Sequence, residues 1–171
     1  GAGTFQSYAL SNKGSVVTTG LAVGDAAVTG QVCLLDSATD IDQFVDGAVL
    51  VTSTTDPDWV PIMKRAAAIV TDHGGRTSHA AIVSRELGLP AIVGTGNATQ
   101  IMHTGQAVTV SCAEGEEGVV YDGTATVSVA DIDLSNLPQS RTRVMLNLAN
   151  PEAAKVAAEE ILKRFGAAFP G

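Results

Sequence analysis

The sequence predicts an α/β layer fold, and three observations carry the prediction. Short β-branched apolar runs recur at residues 16–23, 27–35, 48–52, 67–71, 91–93 and 106–112, each bounded by turn residues. Helix-start and helix-stop signals fall between several of these runs, the alternation expected of strands crossed by helices. The composition suits close helix-on-sheet packing: 45% of the 171 residues are apolar and 18 are glycine, while aromatics make up only 4%.

In chain order, residues 1–14 are polar and glycine-bearing and read as an incoming linker. Two strand-like runs follow at 16–23 and 27–35, separated by Gly24-Asp25. Ser37 is placed to cap a short helix over 38–44, with Asp40 as a weaker capping-box partner, and Gly47 ends it. Residues 48–52 form a buried strand. Asp56 is an N-cap with Pro57 at the first helical position. That helix passes through Trp59, Ile62 and Met63 and is shortened or kinked by Pro61. Trp59 and Met63 share a helix face and read as packing residues, and capping explains Asp56 and Asp58 more simply than metal binding.

The central stretch, 67–94, holds the chemistry. A strand over 67–71 runs into His73-Gly74-Gly75-Arg76, where paired glycines let the backbone take positive φ. Thr77 and Ser78 are both good N-caps for a helix over 79–87. Gly88 is its stop, Pro90 lies beyond, and a strand restarts at Ala91. A second glycine turn at 95–99 and a helical turn at 100–103 follow, with His103 exposed. Strands at 106–112 and 119–121 form a hairpin around an acidic, solvated turn at 113–118. A last strand spans 125–129, residues 131–141 read as an outgoing linker, and a new strand-then-helix pattern begins at 142.

The charge balance narrows the function. A formal net charge of −8 argues against a general nucleic-acid surface, so a phosphate site must be built locally from backbone N–H groups and a few cations. No apolar run approaches the ~18 residues of a membrane span, and no leader peptide is expected. Cys33 and Cys112 lack metal-like spacing and read as buried free thiols of a reducing compartment. His79 falls in the first turn of a helix beside the glycine turn, where unpaired N–H groups and the helix dipole favour an anion. An imidazole there is either a nucleophile toward phosphorus or a structural or solvated histidine. In the first case Arg76, the Thr77 and Ser78 hydroxyls and the backbone N–H groups would hold the phosphoryl group.

The string Gly74-Gly75-Arg76-Thr77-Ser78-His79-Ala80-Ala81 resembles the phosphohistidine signature of the phosphoenolpyruvate-utilising enzymes. Two flanking segments, 55–68 (TDPDWVPIMKRAAA) and 110–115 (VSCAEG), look like the phosphoenolpyruvate synthase branch of that family. Arg76 departs from the methionine usual in pyruvate phosphate dikinase, and enzyme I of the sugar phosphotransferase system lacks the TDPDW segment. The resemblance implies a three-layer swivelling β/β/α phosphohistidine domain over 15–130, between linkers at 1–14 and 131–141, with 142–171 as the truncated start of a (β/α)8 barrel. It implies that His79 is the phosphohistidine nucleophile, phosphorylated at Nε2, with Gly74, Gly75, Arg76, Thr77 and Ser78 around the phosphate. No residue here is assigned to a metal. ATP and Mg2+ would be bound by an N-terminal nucleotide-binding domain and a C-terminal phosphoenolpyruvate/pyruvate barrel outside this chain. A regulatory kinase/phosphorylase would act on Thr77, whose alternative role is to cap the helix. The implied setting is the cytoplasm, with neither nucleic acid nor membrane as partner. Two other readings stay open: an enzyme I-like phosphocarrier, and a non-catalytic anion-binding module.

Overall fold

The computed structural model describes residues 4–133, which fall into two compact units. The larger spans 12–125. Its strands are β2 (Val16–Val23), β3 (Ala27–Leu34), β4 (Val49–Thr52), β5 (Ala68–Thr71), β6 (Ala91–Val93), β7 (Ala107–Ser111) and β8 (Glu117–Asp122). They join in one closed sheet, in the order β2-β6-β5-β4-β3-β7-β8. Neighbours among β3, β4, β5 and β6 run parallel, and the other pairings are antiparallel. The fold is therefore α/β with a mixed, barrel-like sheet. Hydrogen bonds run unbroken around all seven strands.

The parallel strands explain the continuous apolar runs. Every residue of β4, β5 and β6 is buried, as in sheets covered on both faces. Side chains alternate between two cores because successive Cβ atoms point to opposite faces. Leu50, Ile69, Ala91 and Val93 face a cluster with Trp59, Ile62, Met63, Ala80 and Ala81. Val49, Val51, Ala68, Val70 and Ile92 face a second cluster with Met102, Val108, Val110 and Val120.

Closure depends on two glycines that local patterns did not single out. Gly20 of β2 and Gly118 of β8 are register partners. A Cβ on Gly118 would lie 2.6 Å from Ile92 Cγ1, and one on Gly20 would lie 2.6 Å from the Val93 carbonyl oxygen. The missing side chains make room for Ile92, which is fully buried where the sheet meets itself.

Local signals mostly set the elements as expected. Ser37 caps a 3₁₀ turn, Ala38–Gln43, accepting from Thr39 N. Asp56 accepts from Asp58 N at the start of a second 3₁₀ turn, Pro57–Trp59. That turn runs into α1 (Val60–Met63), where Pro61 is tolerated because the first helical turn has no N–H bond to lose. Trp59, Ile62 and Met63 are buried, as packing residues should be. Cys33 and Cys112 are buried and free. His103 is exposed, following a short helix α3 (Ala98–Ile101). The acidic turn at 113–118 is not simply solvated: Glu114 accepts from Lys13 Nζ at 2.9 Å and from Tyr121 OH at 2.7 Å.

The second unit, within the described residues, is an antiparallel ribbon of β1 (Thr4–Ser11) and β9 (Thr126–Asp133), paired from Thr4↔Asp133 to Ser11↔Thr126. The segment read from composition as incoming linker thus holds a strand. The last expected strand extends to Asp133, into the segment read as outgoing linker. Tyr8 and Leu10 on one strand and Val127 and Val129 on the other supply the β propensity that polar composition masked. The rest of the outgoing linker and the barrel-like pattern over 142–171 lie outside the described residues.

Candidate functional site

Parallel strands deliver their following loops to one end of a sheet, and here the loops after β4, β5 and β6 are tied together. Asp72 N donates to Thr52 O at 3.3 Å, and His73 N to Ser53 O at 3.0 Å. On the other side, Thr95 N donates to Thr71 O at 3.1 Å and Gly96 N to Asp72 O at 2.9 Å. The Asp72 carboxylate accepts from both the backbone N and the hydroxyl of Thr99. The loop between β5 and the next helix is therefore held from both flanks before any ligand arrives.

That helix, α2, spans His79–Leu87. Ser78 is its N-cap, with extended φ/ψ of −68° and 159°, and its Oγ accepts from Ala81 N at 3.4 Å. The same hydroxyl donates to Gly75 O at 2.8 Å, which closes the turn back on itself. Thr77 is exposed and the cap belongs to Ser78, so the capping alternative for Thr77 does not hold. Gly88 ends the helix in the left-handed conformation, φ 72° and ψ 26°. Ala80, Ala81 and Ser84 are its buried face, small enough to let the helix lie close on the sheet.

The two turn glycines are not equivalent. Gly74 has φ +114°, and a Cβ there would lie 2.8 Å from Ser78 Oγ. Gly75 has ordinary φ and open space at its Cβ position, so positive φ is needed at only one of the pair. Gly75 contributes its carbonyl, the acceptor for Ser78 N and Oγ.

His79 is the first helical residue and is partly exposed. Its Nδ1 lies 2.8 Å from Thr55 Oγ1. Thr55 is buried at 7% exposure and stands one residue before the Asp56 cap. This contact is the functional feature that sequence reasoning missed. Its only signal was the TDPDW segment, in which Thr55 has no local role that periodicity or capping rules can read. The hydroxyl can serve either ring tautomer. When Nδ1 carries the proton and donates to Thr55 Oγ1, the lone pair is left on Nε2.

Arg76 is exposed, and its carbonyl accepts from Arg85 Nη1 at 2.8 Å. Its guanidinium does not lie over His79 in a hydrogen bond but faces Glu116, with Nη2 to Oε1 at 3.5 Å. A cavity of about 410 Å3 lies beside the 52–56 loop, lined by Asp36, Asp56 and Asp58 among others. Its carboxylates make it unsuited to a phosphate. Among the described residues no cluster of three or more His, Cys, Asp or Glu side chains is placed to hold a metal ion. No helix among them is long and apolar enough to cross a membrane.

A mixed α/β sheet here holds a partly exposed histidine at a capped helix start beside a glycine turn. Residues 44–115 match the family profile described as PEP-utilising enzyme, mobile domain. The chain is 56% identical over 142 residues to the phosphoenolpyruvate synthase of Aquifex aeolicus, covering 83% of this chain and 17% of that protein. It is 50% identical over 147 residues to the phosphoenolpyruvate synthase of Neisseria meningitidis, covering 86% of this chain and 18% of that one. A solved enzyme I structure aligns with a TM-score of 0.40 at 35% identity, over 47% of this chain and 33% of that one, too loosely to bear on the fold. The chain belongs to the PEP-utilising enzyme family, whose mobile domain it carries. It spans less than a fifth of the length of these two relatives.

Proposed function

We propose that this chain is the phosphocarrier segment of a phosphoenolpyruvate synthase and that His79 Nε2 is the atom phosphorylated. The observation that carries the reading is the 2.8 Å contact between Thr55 Oγ1 and His79 Nδ1. A threonine hydroxyl accepts as well as donates, so the contact accommodates the Nδ1–H tautomer, which would attack through Nε2. The imidazole sits at the positive end of α2, where the group it gains meets free N–H groups and the helix dipole. Gly74, Gly75, Arg76, Thr77 and Ser78 form the surroundings of that phosphoryl group.

In the reaction so assigned, ATP, pyruvate and water become AMP, phosphoenolpyruvate and phosphate. His79 attacks the β-phosphorus of ATP and AMP leaves. The terminal phosphate is lost to water, and the remaining phosphoryl passes to the enolate oxygen of pyruvate. The P–N bond keeps a high transfer potential, so the covalent relay divides one difficult transfer into easier ones. ATP and Mg2+, which screens the phosphate charges, are assigned to a nucleotide-binding domain before this chain, and pyruvate to a barrel after it. The three-layer swivelling carrier would lie within the unit at 12–125, with 142–171 opening the barrel. A phosphate placed on Thr77 by a regulatory enzyme would repel the incoming phosphates and block the carrier. The assigned setting is the cytoplasm.

The test mixes this chain with radiolabelled phosphoenolpyruvate and the separately expressed barrel of a phosphoenolpyruvate synthase relative. The expected result is acid-labile, alkali-stable label on His79 and none on His79→Ala. If the wild-type chain gains no more label than His79→Ala, with a barrel shown to bind phosphoenolpyruvate, the assignment fails.

A further inference from the structure

We propose that Glu116 is a positioning residue that holds the Arg76 guanidinium aside and releases it when a phosphoryl group arrives on His79. The inference rests on reading His79 as the phosphoryl acceptor and adds a residue from a turn remote in sequence.

The geometry confines the freedom to the two side chains. The Arg76 carbonyl is held by Arg85 Nη1 at 2.8 Å, and the Glu116 carbonyl accepts from Ala22 N at 2.9 Å. Between these fixed backbones the side chains approach to 3.5 Å, with 58% of the arginine and 87% of the glutamate side chain exposed. Glu114, the neighbouring acid of the turn, is occupied by Lys13 and Tyr121. So exposed and long a pair is weak and exchanges readily. A phosphoryl oxygen dianion offers the same guanidinium a charge-assisted, bidentate partner that outcompetes one loose carboxylate contact. Arg76 stands three residues before His79, in the turn that closes onto α2. Glu116 thereby sets the cost of recruiting Arg76, and the acidic turn opposes phosphoryl uptake through that arginine.

The test uses this chain and potassium phosphoramidate, a small donor that needs no partner protein. The P–N bond to the amine breaks, a P–N bond to His79 Nε2 forms, and the amine leaves as ammonia with the proton it gains. Phosphohistidine is followed by 31P NMR for wild type, Glu116→Gln, Arg76→Gln, the double variant and His79→Ala. At low salt, Glu116→Gln is expected to raise the initial rate about two- to fivefold, the worth of an exposed ion pair. Arg76→Gln is expected to lower the rate, and Glu116→Gln to add nothing on that background. A Glu116→Gln rate equal to wild type overturns the inference, as does a gain that persists without Arg76, which would mark a plain field effect. Should His79 be labelled while Glu116→Gln is neutral, only this inference falls. Should wild type match His79→Ala, the carrier reading falls with it.

Discussion

Thr55→Val is the substitution that separates an organised nucleophile from an ordinary surface histidine. Valine keeps the shape of a side chain that is 7% exposed and deletes only the oxygen lying 2.8 Å from His79 Nδ1. A hydrogen bond of this kind is worth about 1 kcal/mol net, which at 25 °C is roughly a fivefold change in an equilibrium between ring tautomers or orientations. The rate of phosphoramidate labelling at His79 should therefore fall about fivefold, with folding stability changed by no more than about 1 kcal/mol. Nitrogen-15 NMR of the imidazole should show the proton population moving from Nδ1 toward Nε2. Thr55→Ser, which keeps the hydroxyl, should retain most of the rate. Unchanged labelling and tautomer populations in Thr55→Val would refute the reasoning. So would a Thr55→Ser rate as low as that of valine, since the methyl group and not the hydrogen bond would then be responsible.

Four further outcomes follow from the geometry and from burial. Gly74→Ala should destabilise by about 1–3 kcal/mol in urea unfolding, because its φ of +114° disfavours a side chain and the new Cβ meets the Ser78 cap at 2.8 Å. Gly75→Ala, with open space and ordinary φ, should stay within about 0.5 kcal/mol of wild type. Gly118→Ala should cost about 1–3 kcal/mol by overpacking against Ile92, and its cost should be reduced in an Ile92→Ala background. Burial pushes the Cys112 thiol from an ordinary 9.0 up to about 11. The unfolded chain then releases this proton first, so the thiol's contribution is complete below pH 9.0 and drains away as pH rises toward about 11. The loss approaches ~1.4 kcal/mol per pH unit within that window. Urea unfolding between pH 8 and 11 should show a steeper decline for wild type than for Cys112→Val, and parallel curves would contradict the burial argument.

The α2 unit was legible because its determinants are local. Ser78, Gly88 and the apolar run at 68–71 act through backbone atoms within a few residues, so capping rules and side-chain period are enough to place His79 at a helix start beside a glycine turn. The same holds for Asp56 with Pro57, and for the hairpin of β7 and β8. Composition misled at the ends of the described chain, where the polar residues of β1 concealed a strand whose partner lies more than a hundred residues away. Gly20 and Gly118 carried no local signal, and their role shows only in the closed sheet, where both face Ile92.

By itself, then, the sequence determined the strands at 48–52, 67–71 and 91–93, the helix over 79–87, and which histidine stands at its start beside the glycine turn. Tertiary structure alone decided that the strands close into a ring, that Thr55 meets Nδ1 from 24 residues away, that Glu116 faces Arg76, and that only one glycine of the 74–75 pair is conformationally required. The physical reason is the range of the interactions. Caps and periodicity are satisfied within one or two turns of chain. The partner of a side chain across a sheet end is fixed by strand order and register, which no local pattern encodes.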